Sequence, residues 1–207
     1  MRVVALEPAL AAAWSELFDA CSSSCFCRYW HFTGHRNDWL ARSAHDAEAN
    51  REEQLACVHR QDAEARGLVA MEAGVALGWM KLVPRACLVK LTRLPVYRNL
   101  ALGSPDGVYV IGCLLVRPES RRRNVARTLV LAADEHVRTW GGTAIEAYPR
   151  HAELRLHDEE AWMGPEKIYR ESGYAPFLGE DPYPVYRKDL GDPAPTELKS
   201  SAKLRNE

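Results

Sequence analysis

Three groups of residues in this sequence have the types and spacing that could do chemistry. The first is a run of arginines: Arg117, Arg121, Arg122, Arg123 and Arg127 surround a short turn that begins at Pro118. Guanidinium groups crowded at one turn bind an anion, phosphate above all. The second is Glu146, set in an otherwise apolar stretch over residues 143–149. A carboxylate inside an apolar strand is costly unless it is paired or used. Glu146 is therefore the leading candidate for a proton acceptor, with Asp158 and His157 behind it. The third group is Cys21, Cys25, Cys27, His31 and His35. Thiolate and imidazole are the usual zinc ligands, but this spacing fits no common finger and no second Cys-x-x-Cys pair exists, so no metal is expected.

The elements that would position these groups are legible around residues 108–149. Val108–Val116 has no polar alternation and is rich in β-branched residues, as a strand buried on both faces should be. From Val125 the apolar positions Val125, Leu129, Ala132, Ala133, Val137 and Trp140 recur at helical spacing, and Gly141 with Gly142 supplies the stop. The arginine turn therefore opens a helix. A first helical turn leaves backbone N–H groups without partners and carries the positive end of the dipole, which suits phosphate oxygens. In residues 143–149 the alternation places Ile145 and Ala147 on one face and Glu146 and Tyr148 on the other.

At these residues the sequence resembles the GNAT acetyltransferase superfamily. Val116-Arg117-Pro118 resembles the family's strand exit, and Arg121-Arg122-Arg123-Asn124-Val125-Ala126 its pyrophosphate loop, with Asn124 where glycine is usual. Asparagine tolerates left-handed backbone angles better than other residues with a β-carbon. Tyr169-Arg170-Glu171-Ser172-Gly173-Tyr174 resembles the family's Tyr-x-x-x-Gly segment. The resemblance implies an α/β (α+β) fold, a mixed and mostly antiparallel sheet with splayed central strands flanked by helices. It implies acetyl-CoA as cosubstrate, with its pantetheine arm on backbone groups of Leu114, Leu115 and Val116, and its pyrophosphate on residues 121–127. It also implies Tyr169 as general acid toward the leaving thiolate. Phe26, Tyr29 and Trp30 follow the first helix, where such folds line the acceptor pocket, and Tyr148 joins them as a substrate-side residue. Cys113 reads as a small strand residue.

The activity implied is direct acetyl transfer to a primary amine, a small molecule rather than a protein. A non-catalytic acyl-CoA-binding module is the alternative, because Asn124 replaces a glycine and the base is not fixed. With Lys+Arg 27 against Asp+Glu 28, the charge balance points to neither nucleic acid nor a membrane surface as partner. Monomer and homodimer both stay open. The six cysteines and the absence of a leader pattern at the N-terminus point to a cytoplasmic protein with reduced thiols. The 207 residues divide into residues 1–66, N-terminal helices and acceptor-side loop, residues 67–190, the cofactor core, and a tail over 191–207.

Helices are expected over residues 8–20 and 43–61. A hairpin is expected from Gly67 to Val83 around Glu72-Ala73-Gly74, a short helix over 164–172 and a closing strand at 185–188. Residues 85–107 read as an amphipathic helix and loop with a solvated basic face. The excursion over 150–163 is either an acceptor-selecting loop or a plain surface loop.

Overall fold

The computed structural model describes residues 1–153 and 161–191. Its centre is the strand β4 (Val108–Val116), whose first seven residues are buried, as an apolar run without alternation requires. A seven-stranded sheet is built around it in the order β1-β2-β3-β4-β5-β7-β6. The other strands are β1 (Arg2–Ala5), β2 (Gly67–Glu72), β3 (Val75–Pro84), β5 (Ala144–Ala147), β6 (Ala175–Leu178) and β7 (Val185–Asp189). Five of the six pairings are antiparallel, and β4 with β5 is the parallel one.

The helices are α1 (Ala11–Ala20), α2 (Arg36–His45), α3 (Ala47–His59), α4 (Val89–Thr92), α5 (Val125–Thr139) and α6 (Glu166–Glu171). Helix α5 packs its stripe of Val125, Leu129, Val130, Ala133 and Val137 on one face of the sheet, against Leu68, Met80, Ile111 and Leu114. Helix α1 covers the other face with Trp14, Leu17 and Phe18, packed on Val69, Met71 and Trp79. The expected helix over residues 43–61 is two helices instead, α2 and α3. The backbone leaves helical geometry at Asp46, φ −144° and ψ 49°, and breaks the ladder between them. Strand β1, only four residues long, pairs with β2 at the sheet edge and was not expected. The basic face expected over residues 85–107 is solvated at Arg93 and Arg98 but not throughout. Arg85 is buried, and Lys90 folds over Tyr29 with its Nζ 4.1 Å from the ring centroid. No helix among the described residues is long and apolar enough to cross a membrane.

The feature that matters for chemistry is where β4 and β5 part. Their pairing runs only from Val108↔Ala144 to Ile111↔Ala147. Beyond it, β4 continues beside β3 as far as Val116, while the other chain leaves at Tyr148. The parting coincides with an irregularity in the β3–β4 register. Lys81 pairs with Cys113 but Leu82 with Ile111, so Gly112 is an extra residue on β4. Trp30 donates its indole N–H to the Gly112 carbonyl at 2.9 Å, both groups being buried, and so holds the bulge from the opposite layer.

Candidate active site

The parting of β4 and β5 opens a cleft of about 1130 Å³. Leu114, Leu115 and Val116 form its floor, the turn into α5 one wall, and α6 with Gly164 and Pro165 the other. At the α5 wall Asn124 adopts the left-handed conformation, φ 61° and ψ 18°. Arg122 does the same at φ 61°. These two reversals swing the chain so that the first turn of α5 faces the cleft. The first helical bond into Asn124 comes from Thr128 N at 2.9 Å, and the Asn124 side chain does not cap the turn. The N–H groups of Val125, Ala126 and Arg127 are thus the orphan donors of a 15-residue helix, directed at a basic cleft. Ser120, Arg121, Arg122, Asn124 and Arg127 all line it.

Of the ten residues expected to hold the cofactor, nine line this cleft. The tenth, Arg123, does not: its guanidinium turns to the end of β2 and pairs with Glu72 at 2.8 Å. Arg117, outside that set, is spent on the β3 backbone, donating to the Ala76 carbonyl at 3.2 Å.

The two expected catalytic residues lie behind the cleft, outside its lining. Glu146 is fully buried. Its Oε1 takes Arg85 at 2.7 Å and Arg187 at 3.2 Å, and its Oε2 takes the Tyr148 hydroxyl at 2.7 Å. A carboxylate so fully engaged is an anchor for the strands around it, a position that argues against its use as the base. Tyr169 is also fully buried, and its hydroxyl donates to the Met163 carbonyl. Burial pushes this phenol well up, with the Cys113 thiol beside it adding to the shift, so it keeps its proton. Of the alternative bases, Asp158 and His157 lie outside the described residues.

The four residues expected on the substrate side separate into two places. Phe26 belongs to the core under α1, stacked on Phe18 at 5.1 Å between centroids. Tyr148 packs against Tyr97 and serves Glu146. Tyr29 and Trp30 stand together at the parting of the strands, 4.9 Å apart. Among the described residues, no group of three or more His, Cys, Asp or Glu is placed to hold a metal ion. Cys27 accepts from the Trp79 indole at 3.0 Å, whereas His31 turns to Glu64 at 3.6 Å. Burial, with Lys81 and Arg28 nearby, drives the His31 pKa down to about 3.

Two features of the site were not foreseen. Trp162 lies between the cleft and the Tyr29–Trp30 pair, its ring 5.1 Å from Trp30 and 6.1 Å from Tyr29, and its carbonyl accepts the Leu114 N–H at 2.8 Å. On the α6 wall, Glu166 lines the cleft and receives His151 at 2.6 Å and the Tyr186 hydroxyl. A tryptophan in a charged stretch is the one sequence trace of the first. The second joins residues 15 and 20 apart and leaves no local trace.

A sequence model of the acetyltransferase (GNAT) family matches residues 14–161, well over half of the chain. The protein belongs to the GNAT acetyltransferase family. No curated protein matches its sequence. Among solved structures, the aminoglycoside 6'-N-acetyltransferase from Enterococcus faecium superposes with a TM-score of 0.52 at 14% identity, over 92% of this chain and 97% of that one. The PaiA N-acetyltransferase from Thermoplasma acidophilum, in complex with coenzyme A, gives 0.51 at 12% identity over 91% and 99%. A ribosomal-protein-alanine N-acetyltransferase from Brucella melitensis gives 0.50 at 14% over 92% and 100%. At such identities these likenesses establish the fold. The GNAT fold seen here, a mixed sheet with one parallel pair between splayed central strands, is the one the sequence motifs imply.

Proposed function

We propose that this GNAT protein is an acetyl-CoA-dependent N-acetyltransferase that acts on the primary amine of a small molecule. The observation that carries the reading is the cleft itself. It combines an uncapped helix N-terminus, a basic rim and exposed strand backbone at the point where β4 loses its neighbour. Acetyl-CoA matches each part in chemistry. Its pyrophosphate suits the amides of Val125, Ala126 and Arg127 with Arg121, Arg122 and Arg127 around them. Its amide-bearing arm suits the backbone of Leu114 to Val116, which has no strand on its β5 side and whose Leu114 N–H is held by the Trp162 carbonyl. Structural relatives bound to coenzyme A support the same cosubstrate.

The transfer asks the protein for three things. A neutral amine nitrogen must approach the thioester carbonyl carbon, and the carbonyl oxygen must be held by a donor while the C–N bond forms. The C–S bond then breaks, the amine passes its extra proton to solvent water, and the thiolate gains one. In this reading the Leu114 N–H polarises the carbonyl and the Tyr169 hydroxyl supplies the proton to sulfur. Relatives of the same fold are named for acceptors as different as an aminoglycoside and a ribosomal protein. The aromatic pair Tyr29–Trp30, behind the cleft at the parting of the strands, suits a compact amine better than a polypeptide.

Titration calorimetry with acetyl-CoA, followed by thiol release across a panel of small amines, tests the reading. Binding with amine-dependent thiol release is expected. Binding without turnover by any amine would leave an acyl-CoA-binding module in its place.

A further inference from the structure

Residues 161–164 form a tight turn, closed by the Gly164 N–H on the Ala161 carbonyl at 2.7 Å. Its outer residues, Ala161 and Gly164, line the cleft. Its inner residues point the other way: Met163 is buried and Trp162 packs into the cluster of Tyr29, Trp30 and Leu88. The turn is thus a partition, with the cleft on one side and an aromatic cluster on the other.

The partition is held by two unusual bonds. Trp162 offers its carbonyl to the Leu114 N–H, and Met163 offers its carbonyl to the Tyr169 hydroxyl. These are the two donors assigned above to the acetyl carbonyl and the departing sulfur. Consecutive carbonyls of one turn satisfy both, and neither donor reaches a substrate until the turn withdraws. Gly164 sits at the end of the turn with φ +85°. A Cβ there would come within 2.6 Å of both the Leu114 side chain and the Tyr169 hydroxyl, so the turn is closely fitted to the residues it blocks.

What the turn puts in the space is informative. From the carbonyl on Leu114, two saturated carbons, Cα and Cβ, lead to an indole that stands 31° from the plane of Trp30 and edge-on to Tyr29. Lys90 caps the far side, its ammonium over the Tyr29 ring and bonded to the Tyr29 carbonyl at 3.1 Å. That fixed cation repels any acceptor with a second positive charge at its far end.

We propose that Trp162 is a built-in occupant of the acceptor site, and that the acceptor replacing it is a monoamine with a flat aromatic ring a short saturated tether from the nitrogen. This rests on the acetyltransferase reading. The occupant lowers apparent affinity by the fraction of molecules in which the turn is withdrawn, so removing its ring should tighten binding. A plain structural wall predicts the reverse, because its loss removes a contact from the ligand.

The test is titration calorimetry of 2-phenylethylamine and of n-butylamine into the full-length protein with coenzyme A present, using wild type and Trp162→Ala. Phenylethylamine should bind at least about fivefold tighter than butylamine, on the scale of one aromatic contact. Trp162→Ala should tighten both amines, phenylethylamine about fivefold or more and by the larger factor, because its ring also fills the vacated slot. Trp162→Phe, which keeps a ring in the cluster, should move in the same direction by less and serves if the alanine variant unfolds. Weaker phenylethylamine binding in the variants, or equal binding of both amines to wild type, overturns the proposal. Thiol release from acetyl-CoA, read in parallel, separates the two claims. Tighter ring binding with no turnover would sink acetyl transfer and leave the aromatic site standing, whereas turnover of butylamine as fast as phenylethylamine would sink the site alone.

Discussion

Replacing Glu146 with glutamine separates two roles that a carboxylate in an apolar strand can play. As an anchor, Glu146 joins β5 to β7 through Arg187 and to the segment after β3 through Arg85, which also donates to the carbonyls of Leu102, Gly103 and Ser104. Both guanidiniums have side chains under a quarter exposed, and the carboxylate has no exposure at all. Breaking a buried pair by neutralising one partner costs about 3–5 kcal/mol, because the opposite charge stays behind. Glutamine keeps the volume and one acceptor oxygen but turns an NH2 donor toward other donors, so the lower end, about 3 kcal/mol, applies. For a domain of this size that is a fall in Tm of roughly 6–12 °C. Urea unfolding followed by tryptophan fluorescence reads the loss directly. The pH profile of kcat/KM in the same variant should keep its shape. A variant of wild-type stability whose kcat/KM loses its ascending limb would refute the anchor and restore Glu146 as the base.

Two further outcomes follow from the geometry. Asn124→Ala should weaken acetyl-CoA binding about fivefold in calorimetry, because the left-handed conformation at this position costs alanine about 1 kcal/mol. Asn124→Gly should bind at least as well as wild type. His151 is held above its ordinary pKa by its bond to Glu166 first and by Asp181 next. Burial works against Glu166, yet Tyr186 and His151 hold its carboxyl below the usual range. The pair's contribution is full below the ordinary His pKa, fades as pH rises through the raised His151 value, and fades on the acid side as pH falls through the lowered Glu166 value. An NMR titration should place His151 above 6.5, and Glu166→Gln should bring it back toward that value.

The strand, turn and helix that line the cleft were legible in the sequence, and the reasons are local. Val108–Val116 carries no alternation and Val125 to Val137 holds a helical period, so strand, turn and helix are fixed by neighbours a few residues apart. The same locality made Asn124 readable as a left-handed stand-in for glycine. The surroundings of Trp30 and Glu146 are built from long-range partners. Trp30 meets Gly112 across 82 positions, and Arg85 meets Glu146 across 61. An apolar environment marked Glu146 as special but could not say which partner satisfied it. Nor could composition tell Phe26, buried under α1, from Tyr29 and Trp30 beside it in sequence. The break at Asp46 escaped because both flanking segments share polar, helix-favouring residues that read as one run.

The proposed reaction moves an acetyl group from coenzyme A to an amine in this cleft. It is tested most directly by mass-spectrometric quantification of acetylated amine beside thiol release, with acetyl-CoA and 2-phenylethylamine or another small amine of the panel. One acetylated amine per thiol released is expected, with no thiol release when the amine is left out. Thiol released without acetylated amine, or acetyl-CoA bound and never consumed, would contradict it.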